Sequence, residues 1–68
     1  SAAEMTYMDA LRLGLQKERA AFRLYTELMS VVEDDESRDM FMGLAEEEMR
    51  HVLQFEREIE AFSRQKNL

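Results

Sequence analysis

Glu48 and His51 stand three residues apart, and His51 is the only histidine in the chain. On a helix that spacing puts both side chains on one face, where a carboxylate and an imidazole can grip one cation together. A second carboxylate belongs with them. Glu18 interrupts an apolar series between Leu15 and Phe22, as Glu48 interrupts one between Ala45 and Val52. Burying an unpaired carboxylate is costly, so glutamates set into apolar stripes need compensation, and a divalent cation supplies it. Glu-x-x-His by itself is a weak motif in a chain with eleven glutamates, and Glu46-Glu47-Glu48 also reads as a solvated charge run. The three residues gain weight from position. Midway between 18 and 48 is residue 33, within Glu33-Asp34-Asp35-Glu36, the one run of four like charges and the strongest break in the pattern.

The elements that must position these residues are helices. On the N-terminal side of the break, Met8, Leu11, Leu15, Glu18, Phe22, Tyr25, Met29 and Val32 recur at three- and four-residue steps. On the C-terminal side Phe41, Ala45, Glu48, Val52, Phe55, Ile59 and Phe62 do the same. Helices are expected over about 4–33 and 35–64, with Asp34 capping the second and Asp35 and Glu36 in its first turn. Two helices with so short a link pack antiparallel, as a hairpin. Residues equidistant from the turn then lie level, so Glu18 faces Glu48, with His51 one turn along. Leu13, Leu24 and Leu28 flank the first stripe, and Met40, Leu44 and Met49 the second. That is more apolar surface than one neighbour covers, and two hairpins face to face make a four-helix bundle.

Pairing doubles the ligands. A two-fold axis brings four carboxylates and two imidazoles into one layer, and two divalent cations neutralise the four negative charges. Oxygen-rich ligation with one imidazole per metal suits iron or manganese, with zinc also able to bind. A Glu from each of two helices and a Glu-x-x-His from each of the others is the known di-metal carboxylate pattern of helix bundles. Glu47, four residues before His51, is the alternative ligand. Tyr25, two turns after Glu18, is either a core aromatic or a donor to a ligand carboxylate. Glu58, two turns after His51, stands where it can line a cation entry path or simply face solvent.

Composition removes the competing classes. The chain has 68 residues and a formal charge of −6, with no Cys, Pro or Trp and only two Gly. It is expected to be one domain over 1–68, with a core marginal in isolation. Without Cys it has no disulfide, Cys-type zinc site or iron–sulfur centre. Its basic residues are scattered, so neither nucleic acid nor an anionic membrane is an expected partner. No apolar run is long enough to span a bilayer. No signal peptide is expected at its start, which points to the cytoplasm, while Ser1-Ala2-Ala3 without an initiator Met fits a piece of a longer chain. Gly14, with Ala21 seven residues on, is expected on the inner side, where small residues let helices approach. Gly43 has no evident role.

The run Gly14-Leu15-Gln16-Lys17-Glu18-Arg19-Ala20-Ala21-Phe22-Arg23-Leu24-Tyr25 resembles the first helix of a rubrerythrin-type ferritin-like domain, and Leu44-Ala45-Glu46-Glu47-Glu48-Met49-Arg50-His51 resembles the second. The likeness covers about residues 8–62 and implies that Glu18, Glu48 and His51 are metal ligands with Tyr25 beside them. The usual domain carries four helices in one chain, whereas this one carries a single pair. A second copy is therefore implied, as in the similar two-helix encapsulated ferritins, whose ferroxidase site forms across a dimer interface. Without cysteines the chain has no rubredoxin-type iron site, which favours a ferroxidase over an electron-fed peroxidase.

The resemblance implies a di-iron protein that oxidises Fe(II) with O₂ or peroxide, built as a homodimer or a higher even-numbered homo-oligomer. A protein shell is a further implied partner, although no targeting tail for one is recognisable. The reading from another class is a structural helical dimerisation module with no metal chemistry. A third is a fold that holds zinc or manganese structurally.

Overall fold

Thr6 starts the first helix. Its hydroxyl accepts the Asp9 backbone N–H at 3.0 Å, and the Asp9 carboxylate accepts the Thr6 N–H at 3.3 Å. This reciprocal box satisfies two backbone donors that have no intrahelical acceptor. The structure, a computed structural model, describes residues 5–66. It holds two helices, α1 (Tyr7–Val31) and α2 (Asp35–Lys66), packed against each other as an all-α antiparallel hairpin. The start expected near residue 4 moves to Tyr7 because Thr6 is the cap; residue 4 itself lies outside the described residues.

The turn is closed by side chains rather than by glycine. The helix ends at Val31, two residues before the expected end, and Val32 turns to extended backbone while its N–H still reaches the Leu28 carbonyl at 3.1 Å. Asp34 caps α2 as its sequence position implies, its carboxylate accepting the Ser37 N–H at 2.8 Å. Arg38 then ties the turn together, donating to Asp35 at 2.7 Å and to the Val32 carbonyl at 3.2 Å. At the far end α2 runs past residue 64. Arg64 pairs with Glu60 one turn back, and the Lys66 ammonium lies 5.7 Å over the Phe62 ring. Both cations sit at the negative end of the helix dipole. Residues 67 and 68 lie outside the described residues.

The Asp34 cap carries a pH dependence whose sign is fixed. Hydrogen bonds from the Ser37 hydroxyl and its backbone N–H hold the Asp34 carboxyl below the usual carboxylate range. Its contribution is therefore present above the unfolded-chain value of about 3.9 and is lost as pH falls through the lower folded value. Asp34→Ser keeps a capping oxygen that does not titrate. Its acid unfolding, followed by helical circular dichroism, is expected to show a smaller stability loss below about pH 4 than the parent.

Every residue of the two apolar stripes is buried or half-buried, the interrupting glutamates included. Tyr25 stacks on Phe41 with ring centroids 6.4 Å apart, and Tyr7 meets Phe62 edge-on at 5.0 Å. Each pair is nearly equidistant from the turn, as antiparallel register requires. The hairpin is a slab 51 × 27 × 12 Å, one helix thick. Such a slab has little interior. Among the described residues only Leu11, Ala45 and Val52 are buried, and no side chain is fully enclosed. Leu24 and Met40 stay 50% and 57% exposed, and Leu13 and Leu44 are exposed as well.

The two glycines differ in kind. A Cβ on Gly14 would meet the Phe55 ring at 2.5 Å, so the missing side chain is where that ring packs. A Cβ on Gly43 would meet nothing within 4 Å. Gly43→Ala is therefore expected to stabilise the hairpin by about 1 kcal/mol through helix propensity alone. Gly14→Ala is expected to destabilise it, since displacing a packed ring costs ~1–3 kcal/mol against the same propensity gain. Thermal unfolding of the two variants beside the parent checks the opposite signs.

Candidate metal centre

The antiparallel register brings one residue of α1 against two of α2. Glu18, Glu48 and His51 each offer one ligand atom, and these atoms lie within 4.8 Å of one another. His51 Nδ1 stands 3.4 Å from Glu18 Oε2 and 3.7 Å from Glu48 Oε2. Atoms bound about 2.1 Å from a common ion stand roughly 3.0–3.5 Å apart, so the spacing is slightly wider than a closed site. Neither contact is a good hydrogen bond at that length.

Glu48 makes the cluster unusual. Its side chain is only 17% exposed, and its Oε2 is buried with no hydrogen-bond donor among the described residues. Buried polar atoms are nearly always satisfied, so an orphaned carboxylate oxygen beside a second carboxylate and an imidazole nitrogen needs an explanation. Two hard oxygens and one imidazole nitrogen form a donor set that fits Fe(II), Mn(II) or Zn(II). The residues present therefore fit a metal, and the orphaned oxygen is where one would compensate charge.

The site opens on one side. A groove of about 430 Å³ runs along the hairpin, lined by Tyr7, Glu18, His51, Gln54 and Glu58 over Leu11 and Phe55. Glu58 lines this groove and is exposed, a position that both its entry and its solvent readings share. Its carboxylate accepts the Tyr7 hydroxyl at 3.0 Å, a hydrogen bond that holds the Tyr7 phenol above its usual range. Tyr7 and Gln54 line the groove without having been singled out by spacing; for Tyr7 the cue lies in register, because Tyr7 and Glu58 are nearly equidistant from the turn.

Glu47 and Tyr25 fall differently. Glu47 stands outside the convergent trio, but its Oε1 lies 3.3 Å from His51 Nε2, the nitrogen facing away from Glu18 and Glu48. Arg50 grips the same Glu47 carboxylate, and its hydrogen bond and charge hold that carboxyl below the usual range, with a smaller contribution from His51. Tyr25 lies nearer the turn, its ring on Phe41, and makes no hydrogen bond to Glu18 among the described residues. No helix of the described residues is long and apolar enough to cross a membrane.

Comparison of the chain with protein-family models, with curated proteins and with solved structures finds no match.

Proposed function

We propose that the chain is an iron-binding, ferritin-like half-bundle whose metal ligands are Glu18, Glu48 and His51. One observation carries the reading: a buried carboxylate oxygen without a donor, set against a second carboxylate and an imidazole nitrogen. Two copies pair through the apolar edges that one hairpin leaves in water. Met40 and Leu44 precede His51 by eleven and seven residues, on the same stripe of α2, and Ala21, Leu24 and Leu28 flank Glu18 on α1. A second copy on this face covers the leucines and the open side of the metal ligands at once. The paired site then holds two metals among four carboxylates and two imidazoles.

Fe(II) is substrate as well as ligand in this scheme. Each Fe(II) gives up one electron, so a pair supplies two. With two protons, those electrons reduce O₂ to hydrogen peroxide, or hydrogen peroxide to two waters. The carboxylates favour the product side, because hard anionic oxygens bind Fe(III) more strongly than Fe(II).

Exposed Leu24 and Met40 also support the rival reading, a dimerisation module that pairs by apolar burial alone. Metal content separates the two. Protein purified without chelator is expected to carry about one metal per chain and Glu18→Ala close to none. Equal, negligible metal in both leaves the structural module.

A further inference from the structure

We propose that Glu47 is a positioning residue that turns the His51 ring, so that Nδ1 rather than Nε2 is presented to the metal. The inference rests on the metal reading above and concerns a residue beside the ligand trio. Three observations carry it. His51 Nδ1 faces Glu18 and Glu48 at 3.4 and 3.7 Å, while Nε2 faces Glu47 at 3.3 Å, so the two nitrogens address different carboxylates. Glu47 is held by Arg50 from the next turn of α2, which fixes its carboxylate over the outer edge of the ring. Glu48 Oε2 is buried with no donor within hydrogen-bond reach, His51 Nδ1 standing 3.7 Å away.

A neutral imidazole has one N–H and one lone pair, and the partner of one nitrogen decides which is which. On this proposal the 3.3 Å approach of Glu47 to Nε2 closes to a hydrogen bond from Nε2–H, and the Nδ1 lone pair is left pointing between Glu18 and Glu48. Three electron-rich atoms then converge with no proton among them, an arrangement that a cation relieves. Take Glu47 away, and the ring gains by moving its hydrogen to Nδ1 and donating to Glu18 or Glu48. The orphaned oxygen is satisfied, and the metal must first displace that proton. Carboxylates that orient a ligand histidine typically account for about 10–100-fold in metal affinity.

The chain's single histidine makes the test unambiguous. In metal-free protein at about pH 8, nitrogen NMR of His51 is expected to report the Nε2–H tautomer, and Glu47→Ala to shift the population toward Nδ1–H. Zn(II) titration, which involves no turnover, is expected to show about 10–100-fold weaker binding for Glu47→Ala. Glu47→Gln keeps an acceptor oxygen and is expected to recover most of both effects. An unchanged tautomer together with parent-like affinity in Glu47→Ala overturns the proposal. So does complete loss of binding that Glu47→Gln does not restore, because Glu47 is then a ligand. Absence of metal from the parent defeats the metal reading instead, and the tautomer still decides what Glu47 does to the ring.

Discussion

Stripping metal from the paired protein is expected to lower its thermal midpoint sharply and to drive it toward separate hairpins. The hairpin alone has a thin interior: three buried apolar residues and an orphaned carboxylate oxygen among the described residues. Metal that binds only the assembled site adds its binding free energy to folding. At a free metal concentration a hundred times Kd, that linkage is worth about 2.7 kcal/mol. In a domain of this size each kcal/mol moves the midpoint by about 4–8 °C, so chelator is expected to lower Tm by ~10–20 °C. Calorimetry with and without chelator, repeated at several protein concentrations, measures both parts. A midpoint that falls with dilution in the metal-loaded sample but not in the chelated one marks metal-linked pairing. Superimposable scans contradict it.

Replacing both interrupting glutamates is expected to give the second large effect. Glu18→Leu with Glu48→Leu completes the stripes from Leu15 to Phe22 and from Ala45 to Val52. Metal binding and Fe(II) oxidation are expected to disappear. Metal-free stability is expected to rise by ~1–4 kcal/mol, because apolar groups of similar volume often outdo buried charges. Oxidation is read by absorbance and stability by denaturant unfolding in chelator. A double variant that unfolds shows that these carboxylates are structural, held by partners other than a metal. A variant that still oxidises Fe(II) at the parent rate places the chemistry elsewhere.

Much of the fold was legible because one helix face is read directly from a three- and four-residue period. The stripes from Met8 to Val32 and from Phe41 to Phe62 lie along the helix–helix contact, and Asp34 caps α2. The start of α1 was not, because apolar periodicity is silent about capping and the Thr6–Asp9 box decides it. The convergence of Glu18, Glu48 and His51 was legible from register, since a level pair needs only the position of the turn. Glu47 was harder. It lies off the stripe, and spacing alone gives it the same reach to His51 as a ligand; only the ring's orientation assigns it to Nε2. Gly43 carried no signal because it touches nothing, whereas Gly14 carried one that needed Phe55 to explain it.

Two copies of this chain are expected to share a site in which each metal is held by Glu18, Glu48 and His51. Native mass spectrometry of protein purified without chelator, then supplied with Fe(II) under anaerobic conditions, tests it in one measurement. The expected species contains an even number of chains with one iron per chain, and the same preparation of Glu18→Ala carries no iron. An iron-free single chain contradicts the account, and so does a pair whose iron is unchanged by Glu18→Ala.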